Sequence, residues 1–186
     1  LYIGNANPGA DNTIVTKAWP GGVPDDITTN ASIRVMTNET NDLVNVTDFS
    51  NIEFRIKGSV SLDVPNASTV LWHPGEVVKI NWTSVGNVSP IQIAISNDSG
   101  TPGSWKIINA SYIAKAGENN YSWTVWDNIS SESCKIRIND TREGFDDIND
   151  SSDNNFKIRP YINVSDPKTG DLITVAQTNT VPILWN

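Results

Sequence analysis

The sequence predicts an all-β sandwich. Three observations carry this. Short runs alternate apolar and polar residues, clusters of turn-forming residues separate the runs, and no segment keeps up a 3.6-residue apolar period. In Val77 to Trp82, the alternation puts Val78, Ile80 and Trp82 on one face of a strand. Ile91 to Ser96, Tyr121 to Val125, Cys134 to Ile138 and Asn155 to Ile158 alternate or are rich in β-branched residues, so each reads as a further strand. The separating turns are His73-Pro74-Gly75, Asn97-Asp98-Ser99-Gly100, Ala116-Gly117-Glu118 and the stretch 146–155. Repeated short strands of this kind are the signature of a sandwich. Trp82, Trp105 and Trp123 are expected to anchor its core. Seven tryptophans beside a single methionine read as packing rather than as a ligand platform.

Composition removes several function classes. The chain has 186 residues, with 21 Asp+Glu against 13 Lys+Arg, a net charge of -8 and a pI near 4.5. Such a surface opposes phosphate binding, so no nucleic-acid partner is expected. One cysteine excludes an intramolecular disulfide framework, and one Cys with one His falls short of a structural zinc site. No apolar run is long enough to span a bilayer, so no membrane insertion is expected in this segment. The chain opens Leu1-Tyr2-Ile3 without an initiator Met or signal peptide, and both ends read as cut from something longer.

The chain also matches itself. Phe54-Arg55-Ile56-Lys57 recurs as Phe156-Lys157-Ile158-Arg159, and the segment 60–65 recurs as 162–167. Ile33-Arg34-Val35 matches Ile136-Arg137-Ile138, and Ile80-Asn81-Trp82 matches Ile183-Leu184-Trp185. A period of about 102 residues is that of whole domains in tandem, not of a small-repeat solenoid. The expected organisation is a partial domain carrying later strands over 1–58 and a complete domain over 59–160. Residues 161–186 would then be the first strands of a further domain, completing a neighbouring unit.

Asparagine is in excess. Of 23 Asn, 13 begin an Asn-x-Ser/Thr triplet: Asn30, Asn38, Asn45, Asn66, Asn81, Asn87, Asn97, Asn109, Asn120, Asn128, Asn139, Asn149 and Asn163. The Ser and Thr content alone would produce roughly 4 such N-glycosylation acceptors. Asn81, Asn120, Asn139 and Asn163 also fall on the outward phase of their strands, where a glycan does not obstruct a core.

An ordered set of these segments resembles a known family. It begins Pro74-Gly75-Glu76-Val77-Val78-Lys79-Ile80-Asn81-Trp82 and continues through Ile91-Gln92-Ile93, Ile95-Ser96, Asp98, Gly100 and Trp105. It closes with Tyr121-x-Trp123-x-Val125, Ile136-Arg137-Ile138, Ser151-Ser152-Asp153 and Phe156-x-Ile158. The set looks like the domain of the Ser-Thr-rich glycolipid-anchored surface-protein family, repeated in tandem in secreted microbial surface proteins. It covers about residues 59–160. The family pattern carries a Pro after the Trp-x-Val strand, where this chain has Asn128-Ile129-Ser130-Ser131. The resemblance implies an immunoglobulin-like sandwich on a cell surface, and it brings no catalytic residues.

Candidate chemistry is sparse. His73 is the only histidine, lies in a turn and has no nucleophile motif nearby. Cys134 reads as a small buried hydrophobe. Asp146, Asp147, Asp150 and Asp153 form the one candidate Ca²⁺ cluster. They lack EF-hand spacing and its Gly, and the acceptor Asn149 sits among them, so a solvated loop is the preferred reading. No enzyme and no cofactor are expected beyond covalent N-glycans. The expected function is a structural subunit of a heavily glycosylated extracellular or cell-surface filament, stalk or array. Copies would join head to tail by strand complementation or as tandem repeats. The alternatives are an adhesin or carbohydrate-binding module using Tyr112 and Trp126, or an accessory domain of a secreted hydrolase.

Overall fold

The structure, a computed structural model, describes residues 18–19, 21–36, 47–171 and 183–185. Every helix or strand element among them is a strand. In chain order these are β1 (Thr28–Ala31), β2 (Arg34–Met36), β3 (Thr47–Phe49), β4 (Phe54–Ile56), β5 (Ser59–Val64), β6 (Leu71–Trp72), β7 (Val77–Val85), β8 (Ile91–Ser96), β9 (Trp105–Tyr112), β10 (Gly117–Thr124), β11 (Ser131–Asp140), β12 (Asn149–Ser151), β13 (Phe156–Ile158), β14 (Val164–Asp166) and β15 (Leu184–Trp185).

Strands β5 to β13 build a two-sheet sandwich. One sheet has the order β10-β7-β5 and is antiparallel throughout. The other has the order β6-β13-β11-β8-β9, antiparallel except where β6 runs parallel to β13. β12 pairs with the later half of β11, on the edge that β13 occupies earlier. The alternation in the sequence dictates what fills the space between the sheets. Val78, Ile80 and Trp82 of β7 share one buried cluster with Ile91, Ile93 and Ile95 of β8 and with Cys134, Ile136 and Ile138 of β11. Trp72 closes one end, edge-on to Phe156 at 4.7 Å and to Trp123 at 6.2 Å. Such aromatic pairs add about 0.5–1.5 kcal/mol beyond the area they bury.

Two expectations fail. Trp105 is not a core anchor: it is half-exposed on the outer face of its sheet, with the Arg137 guanidinium 4.4 Å from its ring centre. β9 is an edge strand whose register slips twice against β8, so its phase does not follow from simple alternation. The stretch 146–155 is also more than a turn, because it contains β12. Asn149-Asp150-Ser151 has poor strand propensity, and Asp150 compensates. Its Oδ2 accepts the Leu62 N–H at 2.7 Å and its Oδ1 accepts the Ser151 N–H at 2.9 Å.

The flanking strands pair in registers already present in the sandwich. β1 meets β4 as Thr28↔Ile56 and Ala31↔Phe54 with a slip between. β11 meets β13 as Ser131↔Ile158 and Cys134↔Phe156, also with a slip. β2 meets β3 as Arg34↔Phe49, Val35↔Asp48 and Met36↔Thr47; β11 meets β12 as Arg137↔Ser151, Ile138↔Asp150 and Asn139↔Asn149. At the other end, β14 meets β15 as Val164↔Trp185 and Asp166↔Leu184. β5 meets β7 as Leu62↔Trp82 and Val64↔Asn81. Every one of these correspondences falls at the 102- or 103-residue spacing of the sequence matches.

The N-terminal strands are tied to the sandwich by polar contacts. Asp147 accepts hydrogen bonds from Arg55 and Lys57, each at 2.7 Å, and Arg55 also donates to the Gly144 carbonyl at 2.6 Å. Asp25 Oδ1 accepts the Asn87 N–H at 2.7 Å. Gly58, between β4 and β5, lies so close to the Val85 carbonyl and the Val88 side chain that any Cβ would overlap both.

Candidate functional site

Two kinds of surface feature emerge: asparagine acceptors and unfilled apolar strand faces. Asn38 and Asn45 lie outside the described residues. Asn30, Asn87, Asn97, Asn120, Asn128, Asn149 and Asn163 are exposed, while Asn66, Asn81, Asn109 and Asn139 are half-buried. None of these eleven is buried. By contrast Asn119, which starts no acceptor triplet, is buried and serves the fold. Its side chain donates to the Lys115 and Gly117 carbonyls and accepts the Lys115 N–H.

The half-buried acceptors differ among themselves. Asn66 bridges two turns: its Oδ1 accepts the Asp153 N–H at 2.6 Å and its Nδ2 donates to the Asp153 carboxylate at 2.9 Å. Asn109 Oδ1 accepts the Ser111 N–H. Asn81 and Asn139 each hold Oδ1 buried without a protein partner. Both keep the outward phase expected of them, since Ile80, Trp82 and Ile138 beside them are core residues, but neither is fully exposed.

The four acidic residues do not converge. Asp147 faces Arg55 and Lys57, Asp150 is committed to backbone N–H groups, and Asp153 is tied to Asn66. Asp146 offers its backbone carbonyl to Asn149. Among the described residues no group of three or more His, Cys, Asp or Glu side chains is placed to hold a metal ion. Hydrogen bonds from Lys57 and then Arg55 hold the Asp147 carboxyl down at about 2. Glu132 is likewise lowered, first by its hydrogen bond with Arg159 and further by Lys157.

His73 pairs its Nδ1 with the Arg159 carbonyl at 2.7 Å and stacks edge-on to Tyr161, so it works as a structural contact. Cys134 is fully buried and burial pushes its thiol up, away from the reactive thiolate. Tyr112 and Trp126 are not exposed platforms. Tyr112 is half-buried edge-on to Trp82 and Tyr121, and its hydroxyl donates to the Asn120 carbonyl. Trp126 packs edge-on to Trp123 at 5.6 Å.

The flanks carry the opposite signature. Val35 is 67% exposed, while Ile138, its counterpart at the repeat spacing, is 0% exposed. Trp185 is 66% exposed, while its counterpart Trp82 is 0% exposed. Ile33, Val164 and Ile183 are exposed too, and their counterparts Ile136, Leu62 and Ile80 are core residues. These faces were not singled out from sequence, although the matches Ile33-Arg34-Val35 and Ile183-Leu184-Trp185 already marked them. No protein-family model matches the chain, and no curated protein does.

Proposed function

We propose that the chain is a structural segment of a glycosylated extracellular or cell-surface array, built from immunoglobulin-like sandwich repeats joined head to tail. One observation carries the proposal. Both flanks pair in the registers of the sandwich, yet leave bare the apolar residues whose counterparts form its core. An exposed apolar sheet face is unstable alone and calls for a second layer. In this reading β14–β15 supplies the sheet that β5 and β7 form in the sandwich, and β1 to β4 supply the facing sheet. Bringing the two from adjacent units together re-creates the core. Residues 85–102, which include β8, have no counterpart at either repeat spacing within the sequence. The two flanks alone therefore leave the place of β8 open. The immunoglobulin-like assignment is supported by the strand order, with β6 parallel to β13 across from a β10-β7-β5 sheet. The resemblance to the Ser-Thr-rich surface-protein family points the same way.

The test is a protein lengthened by one repeat at its C-terminus. The exposed faces should become protected from hydrogen exchange and melt together with the sandwich. Faces that stay unprotected in the longer chain would refute the array. The coat has its own test. Intact mass should lie well above 20.3 kDa and return to it on deglycosylation.

A further inference from the structure

Two pairs of acceptor asparagines stand directly opposite each other on neighbouring strands. Asn81 of β7 is registered against Asn120 of β10, and Asn139 of β11 against Asn149 of β12. Directly opposed residues of antiparallel strands point to the same face, with Cβ atoms about 5 Å apart. In the first pair this is the outer face, because Ile80 and Trp82 on either side of Asn81 are core residues. In the second pair, Ile138 beside Asn139 is likewise buried.

The two pairs share an asymmetry. Asn120 and Asn149 are exposed, while Asn81 and Asn139 are half-buried with Oδ1 hidden. Asn81 and Asn120 share a recess with Lys79, Thr83 and Glu118, and Asn139 and Asn149 share one with Arg137 and Asp146. On the other flank of Asn139 lies Gln92. Both asparagines of a pair line its recess, and in each pair one of them is the more exposed.

We infer that each pair holds a single N-glycan, on Asn120 and on Asn149, and that this glycan sterically excludes a second on Asn81 or Asn139. The inference rests on the glycan-coat reading. The bond in question is an amide N-glycoside formed at Nδ2, and a sugar ring attached there spans more than the gap to the opposed side chain. Occupation of the exposed member therefore covers the recess in which the other amide lies. The coat leaves two of its thirteen acceptors empty for a reason of register, not of triplet sequence.

Quantitative occupancy mapping by mass spectrometry, on the protein secreted from a glycosylating cell, tests this. Fractional occupancies at Asn81 and Asn120 should sum to no more than one glycan per chain, as should those at Asn139 and Asn149. A sum above one in either pair places two glycans on one molecule and overturns the inference. In Ser122→Ala, which destroys the Asn120 triplet and leaves Asn120 in place, occupancy at Asn81 should rise by about the amount lost at Asn120. Ser151→Ala should do the same for Asn139. If Asn81 and Asn139 stay empty in these variants while Asn87, Asn97 and Asn128 are modified, the competition is refuted and the coat stands. If Asn87, Asn97 and Asn128 are also bare, the coat itself fails and the inference with it.

Discussion

Trp82 and Trp105 present the same side chain to two different environments. Trp82 is fully buried at the centre of β7, and its indole N–H has no protein partner, so the ring is there for its volume. Trp82→Ala should cost about 3–5 kcal/mol, the range for truncating a buried aromatic. Trp105 offers Arg137 a ring face at the surface, worth about 0.5–1 kcal/mol. The difference is measured by urea unfolding at constant m-value, and equal losses would contradict the assignment of faces. Asp140 poses a sharper residue-scale problem, since its side chain is 0% exposed and Arg142 forks onto it at 2.5 to 3.1 Å. The Asp140 carboxylate also raises the Arg142 pKa through the same hydrogen bonds. Arg142→Ala leaves a buried carboxylate with only the Arg142 backbone N–H, and should destabilise by about 3 kcal/mol. Arg142→Lys should recover part of this, since it restores charge but not the planar fork.

Strand elements decide whether the exposed faces are functional. If β2 and β15 wait for a neighbouring unit, then Val35→Lys and Trp185→Lys should each lower the midpoint of the joint in a chain lengthened by one repeat. They should leave the melting of the β5–β13 sandwich where it is. A loss of about 1.5–3 kcal/mol per residue is expected at the joint, the gain from burying such side chains. Equal destabilisation of the sandwich would make these residues part of its own fold. Much of the element layout was legible in sequence. β7 and β13 alternate cleanly because each buries one face against a filled core, while β8 alternates in sequence but is buried on both faces, with Ala94 and Ser96 inside as well as its isoleucines. The match at 102 to 103 residues marked both strands of the β14–β15 pair and one strand each of the β1–β4 and β2–β3 pairs. β12 was not legible, because Asp150 ties it by a side-chain hydrogen bond to Leu62 of β5 and that partner lies 88 residues away. The outward phase of Trp105 and the opposed asparagines were hidden for a related reason. Register across strands belongs to pairing, and a triplet or an alternation says nothing about which residue stands opposite.

At the scale of the whole molecule, the junction between the N-terminal strands and the sandwich includes one carboxylate that gathers two cations, beside the Asp25–Asn87 hydrogen bond and Ile27 packed on the core. Asp147 gathers Arg55 and Lys57, and the positions one repeat later, Lys157 and Arg159, are basic too and meet Glu132 instead. A depressed carboxylate contributes stability above its unfolded value and loses it as pH falls through the folded one. For Asp147 that window runs from about 3.8 down to about 2. The pair is solvent-exposed, so the effect is modest and screened by salt. Local hydrogen exchange is therefore the right measurement, with β4 and β1 amides compared against those of β8 and β11. In the wild type, β4 should lose protection relative to β8 as pH drops across this window. Asp147→Asn should already lack that protection at pH 6 and change little further with acid. Gly58→Ala provides an independent arm, since its Cβ would strike the Val85 carbonyl and loosen the same junction without touching any charge. It should expose β4 at every pH while retaining the residual acid response of Asp147. An acid response that is the same size in wild type and Asp147→Asn would remove Asp147 from control of the junction.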